Sequence, residues 1–381
     1  MFINLGFKIA LCFIAFLILI NLIATIHNKY FIPILKPHKY QTILPPPPEH
    51  LETFTNNFLE TSDNSNLDLN HKPNPKPQFQ IKFLLASNTS QIFNSNEYLI
   101  QMNSSNKIAR QSTILKYNSS IQDTNQEEKE ATQNLINLIN FQASTKPKLK
   151  SFLNYCYNLI TIAKSQDWLE NGMPHTHKQT VILPQFWFNE ILNTTTRTNT
   201  QRISSNGGTL IHEITHILQR IYPDKFKNLY TNQWGFKHIE YIDNFENIKA
   251  RNRENPDGID VLWIWISPSN KLNQAFWIGA VFNSYNPKAL NDVEYLAYPV
   301  YEIIKDKHYK LGEQEPISLQ TFNEFQNFFN LAINNYHPNE IVAEYMNVWF
   351  HEELNLSYSQ PETKQSDAYL RFKKWLEISF L

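Results

Sequence analysis

Residues 212–216 read His-Glu-Ile-Thr-His. On a helix, His212 and His216 lie one turn apart on one face. Two imidazole nitrogens so placed can bind a single zinc ion. Glu213 then projects beside the metal, where a carboxylate can accept a proton from a water on the zinc. The pattern sits in a segment of helical period: Leu210, Ile211, Ile214, Ile217, Leu218 and Ile221 recur at the spacing of a buried stripe. Ser204, Ser205, Gly207 and Gly208 lie just upstream, as a helix entry requires. The bland counterpart is a surface helix carrying two solvated histidines.

A catalytic zinc needs a third protein ligand and an open fourth position. The extended form HExxHxxGxxH is excluded, because positions 219 and 222 hold Gln219 and Tyr222. The segment from His337 to Asn347 is the best source of the third ligand. Pro338 suits a first helical turn. Glu340 and Glu344 then share a face, continued by Asn347 and His351, and the opposite side carries Ile341, Val342, Tyr345, Val348 and Trp349. His337, His351 and Glu352 are rival ligands. Glu344 is another, and a one-turn shift of about 5.4 Å means only one of the two aligned carboxylates can be optimal.

In these residues the chain resembles the gluzincin class of zinc metallopeptidases, in which two histidines come from an HExxH helix and a glutamate from a later one. The resemblance covers about residues 210–220 and 337–348. It implies His212, His216 and Glu340 as zinc ligands, Glu213 as general base, and Glu344 as the acidic group that orients a zinc-bound histidine. Two departures stand out. Glu344 takes the place of a more usual Asp, and the interval from His216 to Glu340 is far longer than in compact members of the class.

Weaker signals remain. Tyr295, Tyr298 and Tyr301 cluster in one segment, and a hydroxyl such as that of Tyr298 could stabilise a developing oxyanion. Aromatic core packing is the default reading. His175 and His177 alternate and would share a face on a strand, as a second metal site could require, but a loop pair is the expectation. Residues 255–258, Asn-Pro-Asp-Gly, read as a tight turn.

Several elements must position these residues. Short strands are expected at 81–87, 97–102 and 179–184, with stronger β-branched and aromatic ones at 261–267 and 275–282. Helices are expected at 127–142, 148–169, 208–222, 320–335, 338–354 and 367–380. Helices and strands mix without βαβ alternation, so the expected class is α+β: a mostly helical, zinc-peptidase-like domain with a small sheet over residues 80–381.

Composition narrows the function classes. The 381 residues carry 34 basic and 35 acidic side chains, a net charge of −1, which argues against a nucleic-acid binder. Two cysteines, Cys12 and Cys156, exclude a disulfide scaffold and a Cys-based zinc site. There is no GxGxxG and no GxxxxGK[ST], so phosphate-binding readings lose their main support.

Residues 9–26 are almost wholly apolar and, at 1.5 Å per residue, would span about 27 Å, close to the hydrocarbon thickness of a bilayer. The expectation is a single-pass anchor over residues 1–30, with secretion after signal-peptide cleavage as the alternative. Residues 31–79, with four prolines at 45–48 and Lys-Pro-Asn-Pro-Lys-Pro at 72–77, read as a Pro/Asn-rich linker. The sequence therefore points to a membrane-anchored, zinc-dependent hydrolase of peptide or protein substrates. The alternatives are a non-catalytic peptide-binding module on the same fold, and a metal hydrolase of other amides or esters.

Overall fold

A computed structural model of the chain describes residues 80–91, 115–253, 257, 262–268, 274–285, 292–305, 308–331, 335–358 and 361–381. The expected anchor, linker and 97–102 strand lie outside these residues. Among the described residues no helix is long and apolar enough to cross a membrane.

Strands and helices are mixed, as an α+β class requires, but the strands form two sheets rather than one small one. The first holds β1 (Lys82–Phe83), β2 (Ile121–Gln122), β3 (Thr161–Ser165), β4 (His175–His177) and β5 (Thr180–Pro184). Its order is β1-β3-β5-β4, with β2 also on β3. β1, β3 and β5 run parallel, and β4 returns antiparallel to β5.

The second sheet comprises β6 (Phe236–His238), β7 (Tyr241–Asp243), β8 (Trp263–Ile266), β9 (Ala275–Phe282), β10 (Val293–Ile304), β11 (His308–Leu311) and β12 (Ile317–Ser318). Its order is β6-β8-β9-β10-β11-β7, with β12 on β10. β9, buried at every position, is its apolar centre.

Most helices fall where hydrophobic period places them, and the exceptions have local causes. The segment expected as one helix over 148–169 is a helix only over Pro147–Leu159. Ile160, Thr161 and Ile162 form a β-branched run that favours extended backbone, and the chain passes into β3. The helix expected over 320–335 spans only Asn323–Phe329, stopped by Asn330 in the left-handed conformation at φ 52°. At 81–87 only Lys82–Phe83 pairs as a strand, and the chain then turns into a 3-10 helix at Ala86–Gln91.

Two helices carry the site: the HEITH helix (Gly208–Ile221) and the Glu340 helix (Pro338–Glu353). They pack against each other, and the HEITH helix also rests on β4 and β5. Leu210, Ile214, Ile217 and Leu218 are fully buried in the main core with Ile341, Val342, Tyr345 and Val348. Burying each such side chain contributes roughly 1.5–3 kcal/mol. Gly208 makes the close approach possible: a Cβ there would lie 2.5 Å from Asn347 Oδ1 and 2.9 Å from His351 Cε1.

Candidate metal centre

The approach of these two helices sets the geometry of the donors. Nε2 of His212 and Nε2 of His216 lie 3.3 Å apart. Glu340 faces both, with Oε2 3.6 Å from His212 Nε2 and Oε1 3.4 Å from His216 Nε2. A tetrahedral ion with bonds of about 2.0–2.1 Å separates its ligand atoms by about 3.3–3.4 Å. The two nitrogens lie at that edge length, and the two Glu340 oxygens, one toward each ring, lie at or slightly beyond it, so His212, His216 and Glu340 form a group that could hold a zinc ion with one position left open.

The two candidate histidine ligands are each held by a partner. His216 is buried, and its Nδ1–H donates to Gln219 Oε1 at 3.0 Å, which leaves the Nε2 lone pair for the metal. Gln219 Nε2 in turn donates to Asn339 O at 2.8 Å, tying the HEITH helix to the first turn of the Glu340 helix. On the other side, Glu344 Oε2 lies 3.5 Å from His212 Nδ1. Its Oε1 accepts from the Tyr358 hydroxyl and from Asn347 Nδ2 at 3.3 Å. Glu344 is thus turned to Nδ1 of His212, while Glu340 faces the Nε2 atoms of both rings.

The rival ligands point to other tasks. His337 caps the Glu340 helix, its Nδ1 accepting from Asn339 N at 3.2 Å. His351 has both ring nitrogens engaged, with Ser204 Oγ and Asn347 O, each at 2.8 Å. Glu352 accepts from Lys373 Nζ at 2.9 Å and from the Tyr369 hydroxyl at 2.6 Å.

Electrostatics follow from burial. Burial works against the charged form of His212, yet the facing Glu340 and Glu344 carboxylates hold its pKa well above the ordinary imidazole value. Burial alone would raise Glu340, but His216 and His212 beside it bring it down to about 2. Glu213 goes the other way: burial and the nearby Asp257 carboxylate push it well above the usual carboxylate range. Its Oε2 is buried without a hydrogen-bond partner, so a proton acceptor beside the donor set is uncommitted.

Asp257 was legible only as part of a turn. It is buried; Oδ1 accepts from Thr176 N at 2.7 Å and from the Thr176 hydroxyl, and Oδ2 lies 3.7 Å from His216 Nε2. Glu213, His216 and Asp257 form a second possible donor group. His216 Nε2 serves both groups and Nδ1 is taken by Gln219, so one ion can be held there, not two. Glu340 faces both histidines, whereas Asp257 is engaged by Thr176 and by Arg220 at 3.8 Å. That favours the first group.

A cavity of about 660 Å³ opens onto His212, Glu213 and Glu340. Tyr298, a possible oxyanion stabiliser, is not among its lining residues; it packs in the second core, as the default reading has it, with its ring 5.8 Å from that of Trp277. Tyr295 on the same strand and Tyr336 line the cavity instead, with ring centroids 5.1 Å apart. The period-2 alternation of β10 separates them: positions 295 and 298 face opposite sides of the sheet. His175 and His177, expected in a loop, form β4 and are buried there. Gln219, Tyr358, Arg220 and Asp257 escaped the sequence reading because each acts through a tertiary contact with no local spacing signal.

No family model matches this chain, and no curated protein or solved structure matches it.

Proposed function

We propose that this chain is a zinc-dependent hydrolase, most specifically a metallopeptidase of gluzincin type, joined to a membrane by the apolar segment 9–26. One observation carries the reading: His212, His216 and Glu340 converge with 3.3–3.6 Å between facing donor atoms, while the buried Glu213 Oε2 beside them has no hydrogen-bond partner. Zinc held there would supply Lewis-acid polarisation of a carbonyl and a more acidic water. The chain's own residues do the rest. Glu213, with its raised affinity for protons, takes the proton of the attacking water and passes it to the leaving amine. Gln219 and Glu344 keep the two imidazoles turned to the ion. The cavity is roomy enough for several residues of an extended peptide.

The second reading is a peptide-binding module without catalysis. The uncommitted Glu213 oxygen speaks against it, because a buried acceptor left unpaired costs about 1–3 kcal/mol that mere binding does not require. The experiment is metal analysis of the purified full-length chain with a peptide cleavage assay. The expected result is one zinc per chain and cleavage that a chelator stops and zinc restores. Zinc-loaded protein that leaves a broad peptide library uncut would favour the binding module.

A further inference from the structure

The cavity beside the donor set is lined, among the described residues, by the four carboxylates of Glu213, Asp257, Glu340 and Glu344 and by the guanidinium of Arg253. Each carboxylate except Glu213 is engaged. Glu340 faces the histidines, Glu344 takes Tyr358 and Asn347, and Asp257 takes Thr176 and Arg220. Arg220 is also spent on the carbonyl of Thr176. Arg253 is different. Among the described residues it forms no ion pair, its Nε is buried without a hydrogen-bond partner, and its one side-chain hydrogen bond goes to the weak acceptor Met173 Sδ at 3.8 Å.

Nor is Arg253 loosely held. Its backbone N–H donates to Ala280 O at 2.8 Å, Asn252 bridges to Val281, and Arg251 O accepts from Phe282 N at 2.8 Å. The segment therefore runs along β9, the most buried strand of the second sheet. A planar fork of five donors on backbone tied to β9, lining a cavity and with only a weak acceptor among the described residues, is suited to a bidentate carboxylate.

We propose that Arg253 receives the carboxylate of the substrate, and that this site acts on peptides whose free C-terminal carboxylate lies close to the bond that is cut. The inference deepens the hydrolase reading and rests on it. Recognition by a half-buried, hydrogen-bonding cation whose Nε is out of solvent discriminates between substrates, because one lacking the carboxylate leaves the guanidinium without that partner. Tyr295 and Tyr336 wall the same cavity and offer an apolar surface to the terminal side chain.

The test uses the full-length, zinc-loaded chain and three matched sets of short peptides: free C-terminal acids, C-terminal amides, and amides carrying Asp or Glu at the last position. The acids are expected to be cleaved with kcat/KM at least about 100-fold above the amides. Arg253→Gln should erase that ratio mainly through KM, and Arg253→Lys should restore part of it. Glu213→Gln, whose turnover should be slowed, should bind a fluorescent acid peptide at least about ten-fold more tightly than its amide.

Equal cleavage and binding of acid and amide overturn the proposal. An Asp or Glu amide that matches the acid assigns the carboxylate to a side chain and overturns the C-terminal class. An Arg253→Gln variant that slows acids and amides alike through kcat makes Arg253 an oxyanion partner. If that variant only lowers thermal stability, with the ratio intact, the guanidinium is structural. Should the wild type cut no peptide, the hydrolase reading fails by itself, and the binding comparison still reads the role of Arg253.

Discussion

Gln219 accepts the Nδ1–H of His216 at 3.0 Å and reaches across to Asn339 with its own amide, so one side chain orients the imidazole of a candidate ligand and joins the two site helices. Gln219→Leu removes both bonds while keeping the side chain's approximate size. Zinc affinity should fall about 10–100-fold, as loss of a group that orients a metal-bound histidine does. Competition against a calibrated chelator measures it. An unchanged affinity would mean that packing alone holds His216.

Glu340 and Glu344 are separated by the same logic. Glu340→Gln deletes a donor that faces both histidines and should lower zinc affinity by more than about 100-fold. Glu344→Gln leaves the donor set intact and should cost about 10–100-fold. Metal content after dialysis at graded free zinc distinguishes them. The reverse order would make Glu344 the ligand.

Helix contact at Gly208 predicts a departure from ordinary propensity. Gly→Ala inside a helix usually stabilises by about 1 kcal/mol. At position 208 the new Cβ would meet Asn347 Oδ1 at 2.5 Å and His351 at 2.9 Å, and both side chains are already hydrogen-bonded on the partner helix. Overpacking of this kind costs about 1–3 kcal/mol. Gly208→Ala should therefore lower the thermal midpoint and weaken zinc binding together. A higher midpoint would show that the interface yields.

The buried pair of Glu128 and Lys164, 3.0 Å apart, gives the fold a pH signature. Burial raises the Glu128 pKa, but hydrogen bonds from Asn125 N and from Lys164 outweigh it and leave it below the ordinary value of 4.5. A depressed carboxylate contributes stability that is fully present above its unfolded pKa and is lost as pH falls through the folded one. Glu128→Gln should cost about 3 kcal/mol near neutral pH, the low end for breaking a buried pair, and progressively less below about pH 4.5. Thermal melts of both proteins across pH 3–7 check this; parallel curves would contradict it.

How much of this was legible beforehand divides along the range of the interactions. The HEITH helix and the Glu340 helix were readable because apolar residues at helical spacing imprint them locally, and their donors, His212, His216, Glu340 and Glu344, do converge. The break after Leu159 was hidden because helical period continues through Cys156 and Tyr157, and only the β-branched run from Ile160 overrides it. Core packing, the default for Tyr298, is what β10 gives it, whereas its possible oxyanion role is not supported; the tyrosine that reaches the cavity is Tyr295, because the sequence does not tell which face of the strand meets it. Asp257 and Arg253 gave no signal, because each is brought to the site by pairing with β4 or β9 rather than by spacing from the histidines.

The hydrolase account turns on Glu213. Glu213→Gln keeps the side chain's size and leaves His212, His216 and Glu340 untouched. The direct measurement is a paired determination, on wild type and this variant, of zinc stoichiometry and of the rate of peptide cleavage. The expected result is equal zinc content with cleavage reduced by at least about 100-fold, the low end for losing a general base. Cleavage by the variant at the wild-type rate, with zinc retained, would contradict the account.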